Sequence, residues 1–244
     1  SAVGEALDSM YPRLAQTLCH GNSNTAVPIT FSPVFLAYNT DLFRTAGIPV
    51  PGPRWNVDDF TAAAEQATMT TDGRIDRFGF SLFPSLHRWL VFALQNGMRP
   101  GADDNREKIA KALTKLQDWL HRKRIATVYT DSKNLINPFI YGKAAMTLTT
   151  LFEMSTWAER GIDFTPEIAP LPFGDTQSTL LQANLLTVPS RCAEPQLSAE
   201  FVSMALDPEV QRKMCATTPF LSVMPAVNEA TRSSAYLHAL NVAA

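Results

Sequence analysis

The sequence predicts an α/β fold, and three observations carry the prediction. Apolar runs of strand length recur at residues 34–38 (VFLAY), 78–83, after Lys143, and at 180–188 (LLQANLLTV). Helical segments lie between them, clearest at 106–124, where Ile109, Leu113, Leu116 and Leu120 share one face. Cap and turn residues stand at the junctions. Strands alternating with helices of these lengths build sheets flanked by helices. At 244 residues the chain is long enough for one large domain or two smaller lobes.

The elements follow in order. A short helix is expected over 6–17, then a polar turn at 21–25. Residues 34–38 are apolar throughout, as befits a strand buried on both faces. Residues 41–46 form a short helix stopped by Gly47, which tolerates a left-handed cap. Pro49, Pro51 and Pro53 then forbid regular structure, because each lacks an N–H and restricts its predecessor. Asn56 is placed to cap a helix over 60–67, and Asp59 stands three residues later in the manner of a capping box. Asp72-Gly73 is a turn before the strand 78–83, and residues 89–95 form a buried helix. Residues 137–143 are expected as a helix ending at Gly142-Lys143, before a buried strand. An extended crossing at 166–172 precedes the run 180–188, expected as a further buried strand. Helices over 195–205 and 208–216 carry proline in the first turn, the second capped by Asp207.

Composition excludes several classes. Apolar residues at 45% and charged residues at 18% describe a folded globular chain. A net charge of −2 gives no electrostatic reason to bind nucleic acid or an anionic membrane. Helix 106–124 does carry a basic face (Arg106, Lys108, Lys111, Lys115, Arg122, Lys123, Arg124), but Glu107 and Asp118 interrupt it, as on a solvated surface helix. No apolar run reaches the roughly 20 residues of a membrane span, and no leader pattern is present, which decides nothing about compartment. Cys19, Cys192 and Cys215 have neither metal-ligand nor redox spacing; three buried thiols are expected, the alternative being one disulfide and one free thiol. Met204, Met214 and Met224 are expected as core filler. No nucleophile elbow, zinc-protease motif or phosphate loop occurs, and His20, His87, His121 and His238 are scattered. Catalysis, cofactors and metals are therefore not expected.

Several short patterns fall in one order. Val27-Pro28 precedes Tyr38-Asn39, then Asp41-Leu42-Phe43 and Ala46-Gly47-Ile48, with Pro53 and Trp55 following. Tyr141-Gly142-Lys143-Ala144-Ala145-Met146 comes later, then Ala169-Pro170-Leu171-Pro172 and a turn at 217–225. Together they resemble the extracellular solute-binding proteins of ABC transporters, in the sugar-binding, maltose-binding-protein-like branch. Arg54 and Thr218 depart from that family's pattern.

The resemblance implies a periplasmic-binding-protein-like fold of type II: two lobes of mixed sheets flanked by helices, closing on a small solute that they do not alter. Lobe 1 would comprise residues 1–35 and 185–225, and lobe 2 residues 36–184 and 226–244. The family begins with a strand–helix–strand unit and ends with further helices. Lobe 1 is therefore expected to be incomplete, with exposed sheet edges that invite pairing.

It also implies a site. Sugars present C–H patches that aromatic rings cover and hydroxyls that polar side chains meet. Phe152 stands where the family places a stacking tryptophan, and Trp157 follows it. Phe31 and Ser32 match a loop that carries an acidic ligand contact; the hydroxyl in its place makes maltose itself less suited. Ser85, His87 and Arg88 match another ligand loop, with Trp89 expected in the core. Gln182 and Asn184 are amides within an apolar strand and need partners. The implied partners are a saccharide and the permease subunits of an ABC importer, with no nucleic acid, at a periplasmic or membrane-anchored extracellular location. The alternative is a cytoplasmic ligand-sensing domain fused to a DNA-binding module.

Overall fold

A computed structural model describes residues 7–17, 19–20, 23–24, 26–52, 54–129 and 137–232. The elements begin with α1 (Pro12–Thr17), β1 (Cys19–His20), β2 (Ser23–Asn24), β3 (Val27–Pro33), β4 (Phe35–Asn39) and α2 (Thr40–Ala46). Next come α3 (Val57–Ala67), β5 (Met69–Thr71), β6 (Arg74–Leu82), α4 (Leu86–Gln95) and α5 (Asn105–Gln117). A π-helical turn (Asp118–Arg122) leads to β7 (Ala126–Val128), β8 (Ala144–Thr149), α6 (Leu151–Glu159) and β9 (Pro166–Ala169). The chain continues through β10 (Leu181–Leu186), α7 (Pro195–Ala205), α8 (Pro208–Thr217), β11 (Leu221–Ser222) and α9 (Pro225–Thr231). The chain divides into two compact units, residues 34–180 and the flanking segments before and after them.

The 34–180 unit is built on a mixed sheet of order β5-β6-β8-β4-β9, with β7 also paired to β6. Strands β6, β7 and β8 run parallel, and β4 is antiparallel to β8 and β9. The apolar run around β4 has its explanation here. Leu36 and Tyr38 enter one core cluster and Ala37 enters a second, so both faces of the strand are covered. The larger cluster is organised by Trp119, whose ring meets Phe60 at 5.0 Å and Phe92 at 5.3 Å between centroids. Its indole N–H donates to Thr61 Oγ1 at 3.1 Å, which satisfies the ring's one polar atom. The sequence periodicity of 106–124 runs into the π turn that carries Trp119. Leu113 is exposed and Ala112 is buried in its place on the inner face.

Local signals set the ends. Asn56 accepts from the amides of Asp58 and Asp59, and Asp59 accepts from the Asn56 amide, completing the capping box. Gly47 adopts φ 65° and closes α2, while Asn39, unexpected in that role, caps its start. Residues 137–143 are a turn and not the expected helix. Lys143 N–H returns to the Pro138 carbonyl at 2.8 Å and Gly142 sits at φ 65°, so the chain reverses before a second helical turn forms. The basic face of α5 and the π turn is matched by acid: Lys108, Lys111, Lys115, Arg122 and Lys123 pair with Asp104, Asp175, Asp58, Asp118 and Glu65. That neutralisation is what a solvated surface helix shows.

The other unit holds a three-stranded antiparallel sheet of order β10-β3-β11. Its polar core is joined by a network of side-chain hydrogen bonds. Ser222 Oγ donates to Gln211 Oε1 at 2.6 Å, and Gln211 Nε2 donates to the carbonyls of Ala205 and Ile29. Asn228, on α9, exchanges hydrogen bonds with the Ser222 backbone and donates to the Tyr11 hydroxyl at 3.2 Å. These bonds tie α9 to this unit, so the expected assignment of 226–244 to the other lobe is corrected for 226–232; residues 233–244 lie outside the described residues. The boundaries also fall at Pro33/Val34 and Leu180/Leu181, and not at 35/36 and 184/185.

Three other expectations change here. The helix expected over 6–17 is interrupted at 9–11 before Pro12 restarts it, and most of the polar turn at 21–25 lies outside the described residues. The strand β10 is exposed, not buried, because it is the edge of its sheet and most of its side chains reach solvent. On α7, Leu197, Phe201 and Met204 are exposed too, so Met204 is not core filler as Met224 is. Among the described residues no helix is long and apolar enough to cross a membrane, and no cluster of metal-ligating side chains occurs.

Candidate functional site

Within the 34–180 unit the parallel strands β6, β7 and β8 all end at one edge of the sheet. Ser81 is paired with both Thr127 and Thr147, so the segments after Leu82, Val128 and Thr149 emerge side by side. Tyr129 N–H donates to the Leu82 carbonyl, and its ring packs on Phe83 at 5.5 Å between centroids. Both chain crossings leave the unit at this same end, where Val34 N–H donates to the Leu180 carbonyl at 3.0 Å.

Two helices start here. After β6, Pro84 and Ser85 turn the chain into α4, with Ser85 at the N-cap position and Leu86 63% exposed beside it. After β8, Thr150 opens α6. Its Oγ1 accepts from Glu153 N–H at 3.4 Å while Glu153 Oε2 accepts from Thr150 N–H at 3.3 Å, a reciprocal capping box. Phe152 projects from that first turn, 55% exposed. A phenyl ring held open to solvent on a capped helix start can cover the C–H patch of a sugar.

Arg88 lies behind this surface, 1% exposed, and its Nη2 forms an ion pair with Glu153 Oε2. Glu153 also accepts from Thr149 Oγ1 at 3.1 Å. Burial and the charge of Glu153 push the Tyr129 phenol up to about 12; Arg88 and a hydrogen bond with Thr147 oppose the shift. The end of the sheet is thus polar beneath and partly apolar on its surface.

The sequence-derived site residues separate into groups. Ser85, Arg88 and Phe152 are brought to neighbouring segments, although Arg88 is buried against Glu153 where a surface contact was expected. The His87 side chain lies outside what is described. Trp157 is corrected to a core residue: it is 3% exposed and packs on Phe139 at 5.3 Å between centroids. Trp89 is half-buried against the larger core, as expected. In the other unit Phe31 is likewise a core side chain, edge-on to Tyr11 at 5.4 Å, and Ser32 is buried with its hydroxyl donating to the Pro33 carbonyl. Gln182 pairs in register with Ser32, and Asn184 donates to Thr30 Oγ1 at 2.8 Å, so the protein itself satisfies that amide. Sequence reasoning missed Leu86, Tyr129 and Glu153. The T-x-x-E spacing of Thr150 and Glu153 was the available signal for the last.

The chain belongs to the bacterial extracellular solute-binding protein family, whose description matches residues 3–239. No curated protein matches it. Solved structures do. An ABC substrate-binding protein from Listeria monocytogenes, in complex with cycloalternan, is 18% identical with a TM-score of 0.79, over 98% of this chain and 65% of that one. The GacH receptor of Streptomyces glaucescens, solved unliganded and with acarbose, is 22% identical with a TM-score of 0.77, over 97% and 64%. UgpB from Mycobacterium tuberculosis, in complex with glycerophosphocholine, is 16% identical with a TM-score of 0.74, over 98% and 62%. The fold is therefore the mixed α/β, periplasmic-binding-protein-like one, and the chain spans about 65% of the length of such structures.

Proposed function

We propose that this protein binds a neutral saccharide without transforming it, and delivers it to the permease of an ABC importer outside the cytoplasm, from a periplasmic or membrane-anchored position. Phe152 carries the reading: an exposed aromatic ring on a capped helix start at the strand-end edge of the sheet. Family membership supports it, as do the saccharides bound by structural neighbours from Listeria and Streptomyces. Stacking on Phe152 contributes apolar contact, while hydroxyl and amide groups at the segment starts, Ser85 among them, meet ligand hydroxyls. A ligand polar group left unpaired on burial costs about 1–3 kcal/mol, so such groups set specificity.

A thermal-shift screen over saccharides, polyols, polyamines and glycerophosphodiesters tests it. A saccharide present at 100 times its Kd is expected to stabilise the protein by about 2.7 kcal/mol, and Phe152→Ala is expected to diminish the shift. An undiminished saccharide shift in Phe152→Ala would remove Phe152 from the site. A shift confined to polyamines or phosphodiesters overturns the saccharide class.

A further inference from the structure

We propose that the Arg88–Glu153 ion pair is a clamp that holds the helix start bearing Phe152 in its ligand-facing orientation, which makes Arg88 a positioning residue. The proposal rests on the reading of Phe152 given above. Glu153 directly follows Phe152, and its Oε2 gathers the Thr149 hydroxyl, the Thr150 amide and the Arg88 guanidinium. The first two contacts are local to the turn. Arg88 alone among them comes from another element, and that element is firmly seated: Val91, Phe92 and Ala93, in the next turn of α4, are buried in the main core. The clamp therefore refers the orientation of Phe152 to the core of the unit and also links it to Leu86, two residues before Arg88.

Stability does not account for Arg88. Its Nε and Nη1 are buried with no hydrogen-bond partner among the described residues. A buried guanidinium satisfied at one nitrogen of three contributes less than an apolar side chain of similar volume packed in the same place. What an apolar side chain lacks is a directional grip on Glu153. Gripping a carboxylate next to an exposed aromatic ring is a use that matches the cost.

Titration calorimetry with acarbose and maltotriose, on Arg88→Met alone and combined with Phe152→Ala, tests the clamp. Arg88→Met is expected to weaken binding about tenfold when Phe152 is present and less than twofold when it is alanine. Equal losses in both backgrounds would show a merely structural role and overturn the proposal. Amide hydrogen exchange on the ligand-free variant is the second readout. The amides of Thr150 and Glu153 are expected to exchange about tenfold faster, with β8 unchanged, and Arg88→Lys to restore part of the protection. Unchanged exchange at those amides overturns the clamp. Should Arg88→Met not fold, Glu153→Gln breaks the same ion pair from its other side at nearly constant volume, and its binding loss is read in the same two backgrounds. If the unmutated protein binds neither probe, the saccharide reading loses support while the exchange measurement still decides the clamp.

Discussion

Gly79 lies so close beneath Ala64 that a Cβ built on it would stand 2.0 Å from the Ala64 carbonyl oxygen. The contact is backbone to backbone, between β6 and α3, and Gly79 N–H donates to Thr68 Oγ1 at 3.0 Å at the end of the same helix. No rotamer change relieves such a clash, so the helix must lift off the sheet. Gly79→Ala is expected to cost about 3 kcal/mol in urea denaturation. Gly52→Ala, with nothing within 4 Å of its Cβ, is expected to stay within about 0.5 kcal/mol of the unmutated protein. Equal effects of the two substitutions would refute the packing argument.

Tyr129 governs part of the alkaline limb of stability. Its folded pKa of about 12 lies above the ordinary value of 10.0 because burial, and secondarily Glu153, disfavour the phenolate. A group that holds its proton more tightly when folded contributes full stability below pH 10 and loses it as pH rises through 12. The loss attributable to Tyr129 is about 2–3 kcal/mol. Tyr129→Phe is expected to flatten the decline between pH 10 and 12; a decline as steep as before would show that the phenol is not shielded. Tyr11 and Tyr38 are raised by burial as well, so a residual slope is expected.

Of the two described free thiols only Cys215 is buried as expected; Cys192 is half-buried, and their acidities shift in opposite directions. Cys192 lies 3.2 Å from Ser198 Oγ, and that hydrogen bond, with the Glu194 backbone, pulls its pKa down. Cys215 is buried, which pushes its pKa up despite Arg232 nearby. Because the thiolate is the nucleophile, iodoacetamide at pH 7.5 is expected to label Cys192 at least tenfold faster than Cys215. Ser198→Ala is expected to slow Cys192. Faster labelling of Cys215 would contradict both assignments.

Much of the fold was legible before any coordinates because its boundaries are set locally. Asn56, Asp59, Gly47 and Asp207 each act on amides or carbonyls within four residues, so their roles follow from spacing. The candidate site was legible only in part. Phe152 was found by position and is exposed, whereas Trp157, five residues on, is sealed against Phe139. Nothing in the LFEMSTW segment distinguishes the two, because burial is decided by what lies across from each ring. Residues 180–188 failed for a related reason: an apolar composition announces a strand, but its exposure depends on being the edge of a sheet.

By itself, the sequence determined the alternation of strands and helices, the caps that end them and the family to which the chain belongs. All of these rest on interactions within a few residues or on ordered patterns along the chain. Only the tertiary structure decided that Arg88 lies buried against Glu153 and that Gly79 must have no side chain. It also decided that α9 belongs with β11 and Tyr11 and not with the 34–180 unit. Those outcomes depend on groups 15 to 217 residues apart, and no local spacing encodes such neighbours.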